Sequence, residues 1–253
     1  MLLPREHGAY GQLLFPLLSA LLIGQPSPGA YLLGAAAVAA FLAHESLLVV
    51  LGQRGAKARR EQGVDARRSL GLFGGFCAVT GTVSLFVLPR PALDVLVLPV
   101  VLALLVGAAV VMHRERSTLG EVLAAVALTS LSLPVALAGH ATRTDALTLF
   151  VVFSAVFVTA TVAVRALIGR VTKAGGPPPL VAGGLTMLVV VGLAVVAFTG
   201  TLAPVAPYAA LPVCAVALGL TTSPPNPRHL RTIGWTLVGA TLLTAVMLVS
   251  QLA

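Results

Sequence analysis

Two places in the chain set a carboxyl group beside an imidazole, Glu6-His7 near its start and His44-Glu45 further on. Each pair joins a group charged at neutral pH to one that titrates near it, the combination that general acid–base chemistry draws on. Glu6 and His7 lie in Pro4-Arg5-Glu6-His7-Gly8-Ala9-Tyr10. Gly8 there allows a substrate close to the backbone, although a solvated lead-in to the next apolar run explains the same residues. His44 and Glu45 stand late in an apolar run, where ionisable groups are costly unless they face a bundle interior or a hydrated cavity. At helical spacing Phe41, Glu45, Leu48 and Gly52 share one face that leads into a basic segment. Glu6, His7, His44 and Glu45 are therefore the candidate catalytic residues.

Candidate binding residues follow the same side of the chain. Arg54, between Gly52 and Gly55, is suited to grip a phosphate or carboxylate bidentately; contact with anionic headgroups is the competing role. His113-Arg114-Glu115-Arg116 precedes an apolar run that carries Glu121 near its start. Arg165 lies amid Val162, Ala163, Val164, Ala166 and Leu167. It either snorkels to the surface or faces inward as a partner for Glu45 or Glu121. Arg228, His229 and Arg231 close the series, and Arg54, Arg114, Glu121, Arg165 and Arg231 form the candidate binding set. No Walker loop, Gly-x-Ser-x-Gly or Cys-x-x-Cys is present, and the sequence calls for no metal and no cofactor. Cys77 and Cys214 each sit within an apolar run, as buried small hydrophobes do.

These residues must be held by apolar elements. Of 253 residues 58% are hydrophobic and 9% charged, against the roughly 25% charged that a soluble domain carries. The apolar residues come as runs near membrane-spanning length, which predicts an all-α, polytopic transmembrane bundle in one domain. Nine spans are expected near 11–24, 30–52, 69–89, 94–112, 119–139, 146–168, 179–200, 205–222 and 233–252. Pro16, Pro99, Pro134 and Pro212 fall within them as sites for kinks. The first run follows a segment with Arg5 as its one basic group beside Glu6, lacks the clearly basic lead and obvious small-x-small cleavage site of a signal peptide, and is read as a retained span.

The net charge of +8 does not indicate nucleic acid, because the basic residues sit in short gaps between apolar runs. Placing the N-terminus in the cytoplasm puts every Lys and Arg except Arg90 and Arg143 on that side. That bias supports the odd span number, a C-terminus outside, and membrane lipids as partners.

Pro4-Arg5-Glu6-His7-Gly8-Ala9-Tyr10, the His44-Glu45 pair running into Leu51-Gly52-Gln53-Arg54-Gly55, and Leu230-Arg231-Thr232-Ile233-Gly234-Trp235 together resemble the YwiC-like family of bacterial membrane proteins, across nearly the whole chain. The resemblance implies a bacterial cytoplasmic membrane protein and carries no activity with it. In plan, nine spans with polar segments after the second and sixth look like the UbiA superfamily of intramembrane prenyltransferases. That likeness implies an isoprenoid or lipid-phosphate ligand in a cytoplasm-facing polar cavity. UbiA enzymes hold Mg²⁺ with aspartates in those two segments. Here the first offers Glu61 and Asp65 among six basic residues, and the second, Arg165 to Lys173, has no carboxylate. The expectation is a membrane protein that binds an amphipathic anionic lipid or isoprenoid, with a divergent prenyltransferase-like enzyme lacking the Mg²⁺-binding aspartates as one form of it. A small-molecule transporter and a non-catalytic subunit of a membrane complex are the alternatives.

Overall fold

Lipid offers no partner to a backbone N–H or C=O, so a chain this apolar must close its hydrogen bonds within each segment. The protein does so with helices, and no strand occurs among the described residues. A computed structural model describes residues 7–25, 27–115, 117–172, 176–223 and 230–253, with His7, Val171 and Thr172 described by backbone alone. In chain order the helices are α1 (His7–Leu22), α2 (Pro28–Val50), α3 (Ala56–Val87), α4 (Arg90–Val95), α5 (Val97–Val111), α6 (Thr118–Ser130), α7 (Ser132–Ala138), α8 (Arg143–Thr172), α9 (Pro179–Phe198), α10 (Ala206–Thr222) and α11 (Leu230–Leu252). Helices α4 and α5 form one rod, as do α6 and α7, so the described residues make nine helical bodies. Seven are long and apolar enough to cross a membrane; α1 and α10 are shorter apolar helices.

Two of the four prolines divide their helices. The breaks at Leu96 and Leu131 each fall three residues before a proline, Pro99 and Pro134. Proline removes an N–H, and its ring presses on the carbonyl four residues back. Around the second break the hydroxyls of Thr129, Ser130 and Ser132 donate to the carbonyls of Ala125, Ala127 and Thr129 at 2.7–2.8 Å, so polar atoms there are satisfied inside an apolar core. Pro16 and Pro212 sit inside uninterrupted α1 and α10.

Every residue of α7 is buried. It packs against α1, α2, α4, α6 and α8, while α8 also meets α9, α10 and α11. The centre of the bundle is thus α7 and α8, filled by Leu149, Val152, Phe153 and Val156 from the latter. Helices α3, α5 and α9 bury little and turn Leu72, Val79, Leu104, Leu188 and Phe198 outward. Apolar side chains that face away from the protein core on spanning-length helices belong in lipid. The chain is a membrane protein.

Helix α3 packs on α2 through small residues. Gly29 lies against Val87 and Leu88, and Gly81 against Ala36, so the two helices run antiparallel in close register. Here the sequence expectation needs correction: the third span, expected to begin near residue 69, is part of a helix that starts at Ala56. Charge does not break a helix. Ala, Lys, Arg, Glu and Gln are all strong helix formers, and Lys57 meets Glu61 one turn on at 4.0 Å.

The hydrogen bonds sort the turns into two ends. At one end Gln25 N donates to Gly139 O and Ser27 Oγ to Ala138 O, both at 2.7 Å, joining the turns after α1 and α7. At the other lie the turns after α2 and α5 and the C-terminal turns of α8 and α10, linked by Arg170 Nη2 donating to Thr221 O at 3.0 Å. The second is called the basic end below. Arg90 and Arg143, which begin α4 and α8, lie at the first.

Candidate functional site

The turn after α2 is short and tightly specified. Gly52 at φ +82° donates its N–H to Val49 O at 3.1 Å, and Gln53 N donates to Leu48 O at 2.9 Å. This pair of bonds closes a helix on a left-handed residue, which glycine adopts without penalty. Gly55 at φ +90° then turns the chain into α3, where Arg59 N donates to its carbonyl. Arg54 is held between the two glycines and folds back over the last turns of α2. Its Nε donates to Glu45 Oε1 at 2.9 Å and its Nη2 to Glu45 Oε2 at 2.6 Å. That fork-on-fork geometry is the strongest form of this pair.

A third group completes the cluster. Arg54 Nη1 stands 3.6 Å from Glu115 Oε1, in the turn between α5 and α6. Arg54 therefore bridges α2 to a separate hairpin through two carboxylates, and all three side chains are largely buried, with 17–26% of each exposed. Glu115 lies outside the candidate set read from the sequence. Between Arg114 and Arg116 it looks like part of a solvated basic turn, and only the fold brings it against Arg54.

The second cluster starts from the cap of α6. Ser117 Oγ accepts from Gly120 N at 3.0 Å and donates to Arg114 O at 2.7 Å. Glu121 follows in the first turn, where a carboxylate also meets the positive end of the helix dipole. Arg165, near the end of α8, grips Glu121 with both edges of its fork: Nε donates to Oε2 at 2.6 Å, and Nη2 to Oε1. Arg165 thus faces inward, and of the two acids considered for it, Glu121 is the partner. The pair staples α6 to α8 at the basic end.

The remaining candidates lie elsewhere. His44 is exposed, on the strip of α2 beside Glu45. Arg114 and Arg231 are exposed, and neither makes an ion pair among the described residues. Glu6 lies outside the described residues, as do Arg5, Arg116, Lys173, Arg228 and His229, and the side chain of His7 is likewise not described. Tyr10, three residues into α1, packs edge-to-face on Phe41 with ring centroids 5.0 Å apart. Phe41 is one turn before Glu45, so the opening motif meets α2 on the face that carries the Arg54 cluster.

Two shallow depressions mark the surface. One of about 310 Å³ lies at the basic end against Ala166, Gly169, Arg170 and Gly176 to Pro179. One of about 350 Å³ lies at the far end against Pro204, Val205, Tyr208, Met247 and Gln251. Neither is lined by Glu45, Arg54 or Glu121. Among the described residues no group of three or more His, Cys, Asp or Glu side chains is placed to hold a metal ion.

No curated protein and no solved structure matches the chain. A family model described as YwiC-like protein matches residues 3–137. The match runs to the last turn of α7, so it takes in Glu45, Arg54, Glu115 and Glu121 and stops short of Arg165 and of Leu230–Trp235. With more than half its length matched, the chain belongs to the YwiC-like protein family.

Proposed function

We propose that the protein binds an amphipathic anionic molecule, a lipid phosphate or isoprenoid diphosphate, at its basic end, with Arg54 as the group that receives the anion. The observation that carries this is the asymmetry of the Arg54 bridge. Glu45 holds one edge of the guanidinium at 2.6 and 2.9 Å, while Glu115 stands 3.6 Å from the other. A charge-assisted hydrogen bond runs about 2.7–2.9 Å, so the Glu115 contact is the weaker one. An incoming phosphate replaces it at the least cost, and Glu45 keeps Arg54 oriented while it does so.

The order of nine bodies, with polar turns after the second and sixth, supports a UbiA-like plan open to the cytoplasmic leaflet. The chemistry departs from Mg²⁺-dependent prenyl transfer, because arginines stand where that mechanism needs clustered carboxylates. Where a reaction follows binding, Glu45, held on the receiving guanidinium, and Glu6, His7 and His44 of the candidate set are the acid–base groups it would draw on.

Native mass spectrometry after gentle extraction tests the proposal. Added to the detergent-purified chain, an isoprenoid diphosphate is retained by wild type, and Arg54→Gln reduces its occupancy at least tenfold while the helical signal is unchanged. Equal retention by wild type and Arg54→Gln, or none in either, refutes it.

A further inference from the structure

The arginines of the basic end fall into two classes. Arg54 and Arg165 are each locked on a carboxylate. Arg60, Arg67 and Arg68, on the first turns of α3, are exposed and have no acidic partner among the described residues. Helical spacing gathers Lys57, Arg60, Glu61, Val64, Arg67 and Arg68 on one face, with Glu61 met by Lys57 at 4.0 Å, so the arginines remain the uncompensated charge there. That face lies opposite the stripe of Ala66, Ser69, Thr80 and Ser84 that α3 buries against α2, and so points away from the bundle. Further along the same outward face come Leu72, Val79 and Phe86, exposed by 52%, 64% and 86%.

Length places the two parts at different depths. Leu70 to Leu88 is free of charge and at 1.5 Å per residue covers about 28 Å, close to the ~30 Å hydrocarbon core. Arg67 and Arg68 then sit where hydrocarbon meets headgroup, with Arg60 about two turns higher. Helical side chains lean toward the N-terminus, here toward the headgroups, which lifts both guanidinium groups to phosphate level.

We infer that this outward face of α3 is a binding site for anionic phospholipid: Arg67 and Arg68 hold the phosphate, Arg60 an outer headgroup oxygen, and the acyl chains lie along Leu72, Val79 and Phe86. Charge complementarity selects this occupant over a second copy of the chain, since two such faces together would bring unpaired arginines face to face. The site shares no residue with the Arg54 cluster, so either can fail without the other.

The test uses the full chain with Trp235→Phe and a Leu72→Trp reporter, reconstituted in phosphatidylcholine vesicles. A minority of brominated phosphatidylglycerol or brominated phosphatidylcholine serves as quencher. Each basic group near an anionic headgroup strengthens binding about fivefold. Brominated phosphatidylglycerol should therefore quench the reporter at a mole fraction at least fivefold lower than brominated phosphatidylcholine. Arg67→Gln with Arg68→Gln should bring the two lipids to near parity, and Arg143→Gln, at the other end, should leave the preference intact. Raising the salt with all arginines present should also weaken it, which keeps the test decisive if the double variant does not fold. Equal quenching by the two lipids, a preference that survives loss of both arginines, or a reporter shielded from both lipids by a second copy would overturn the site.

Discussion

Arg54 holds the carboxylate of Glu45, nine residues earlier on α2, with two hydrogen bonds of 2.9 and 2.6 Å, and turns its third nitrogen toward Glu115. The consequence is an order of severity among substitutions. Glu45→Gln leaves Arg54 its contact with Glu115, whereas Arg54→Gln removes the cation that both carboxylates share. Arg54→Gln should cost about 3 kcal/mol and Glu45→Gln about 2 kcal/mol, with the double variant well short of their sum. Unfolding of the detergent-solubilised protein by all four members of the cycle measures this. Additive losses, or a larger loss for Glu45→Gln, would show that the bridge does not organise this end.

The Arg165–Glu121 staple should behave differently. Its side chains are 24% and 41% exposed, so water screens this pair more than the first. Glu121→Gln should lower stability by about 1 kcal/mol or less, and the loss should shrink as salt rises. A thermal shift series in low and high salt separates the two pairs. Equal, salt-independent losses for Glu121→Gln and Glu45→Gln would contradict the difference in exposure.

Glycine substitutions test the turn that carries Glu115. A Cβ at Gly120 would stand 2.4 Å from Arg114 O and 2.7 Å from Glu115 O, both backbone atoms that cannot swing aside. At Gly81 a Cβ would meet Ala36 Cβ at 3.8 Å, an ordinary contact. Gly120→Ala should therefore destabilise by roughly 2 kcal/mol and weaken the Arg54–Glu115 contact, while Gly81→Ala stays within about 0.5 kcal/mol of wild type. The same unfolding assay decides between them, and a tolerant Gly120→Ala would mean that the α5–α6 turn is loosely packed.

How much of this was legible in the sequence depends on which physics sets each feature. The helices were, because in lipid hydropathy and backbone satisfaction demand the same thing; the direction of Arg165 was not, because snorkelling and an inward ion pair both answer the cost of a charge among valines, and only the fold supplies Glu121. The start of α3 was not, because charged residues between apolar runs look like a loop although Ala56 to Gln62 are good helix formers. Two breaks were half legible: Pro99 and Pro134 mark them, but Pro16 and Pro212 carry the same signal without a break. Glu115 was hidden because its role comes from a contact between two hairpins that no local pattern announces. The family model covers the segment through α7, where the opening motif and the Arg54 turn lie, and leaves α8 to be read from physics alone.

Orientation gives the last test. The basic end carries the exposed cations of α3, and positive residues are retained on the cytoplasmic side of a bilayer. Cys77 is half-buried and Cys214 buried, and both are replaced by Ala to give a silent background. Single cysteines at exposed Ala56, beside the basic turn, and at exposed Thr201, in the turn between α9 and α10, then report opposite faces. In intact cells a membrane-impermeant maleimide should label Thr201→Cys readily and Ala56→Cys only after the membrane is opened. Because each further crossing swaps sides, Ala253→Cys, at the end of α11, should label like Thr201→Cys. Labelling of Ala56→Cys in intact cells would invert the bundle and place the Arg54 cluster, with its proposed ligand, in the opposite leaflet.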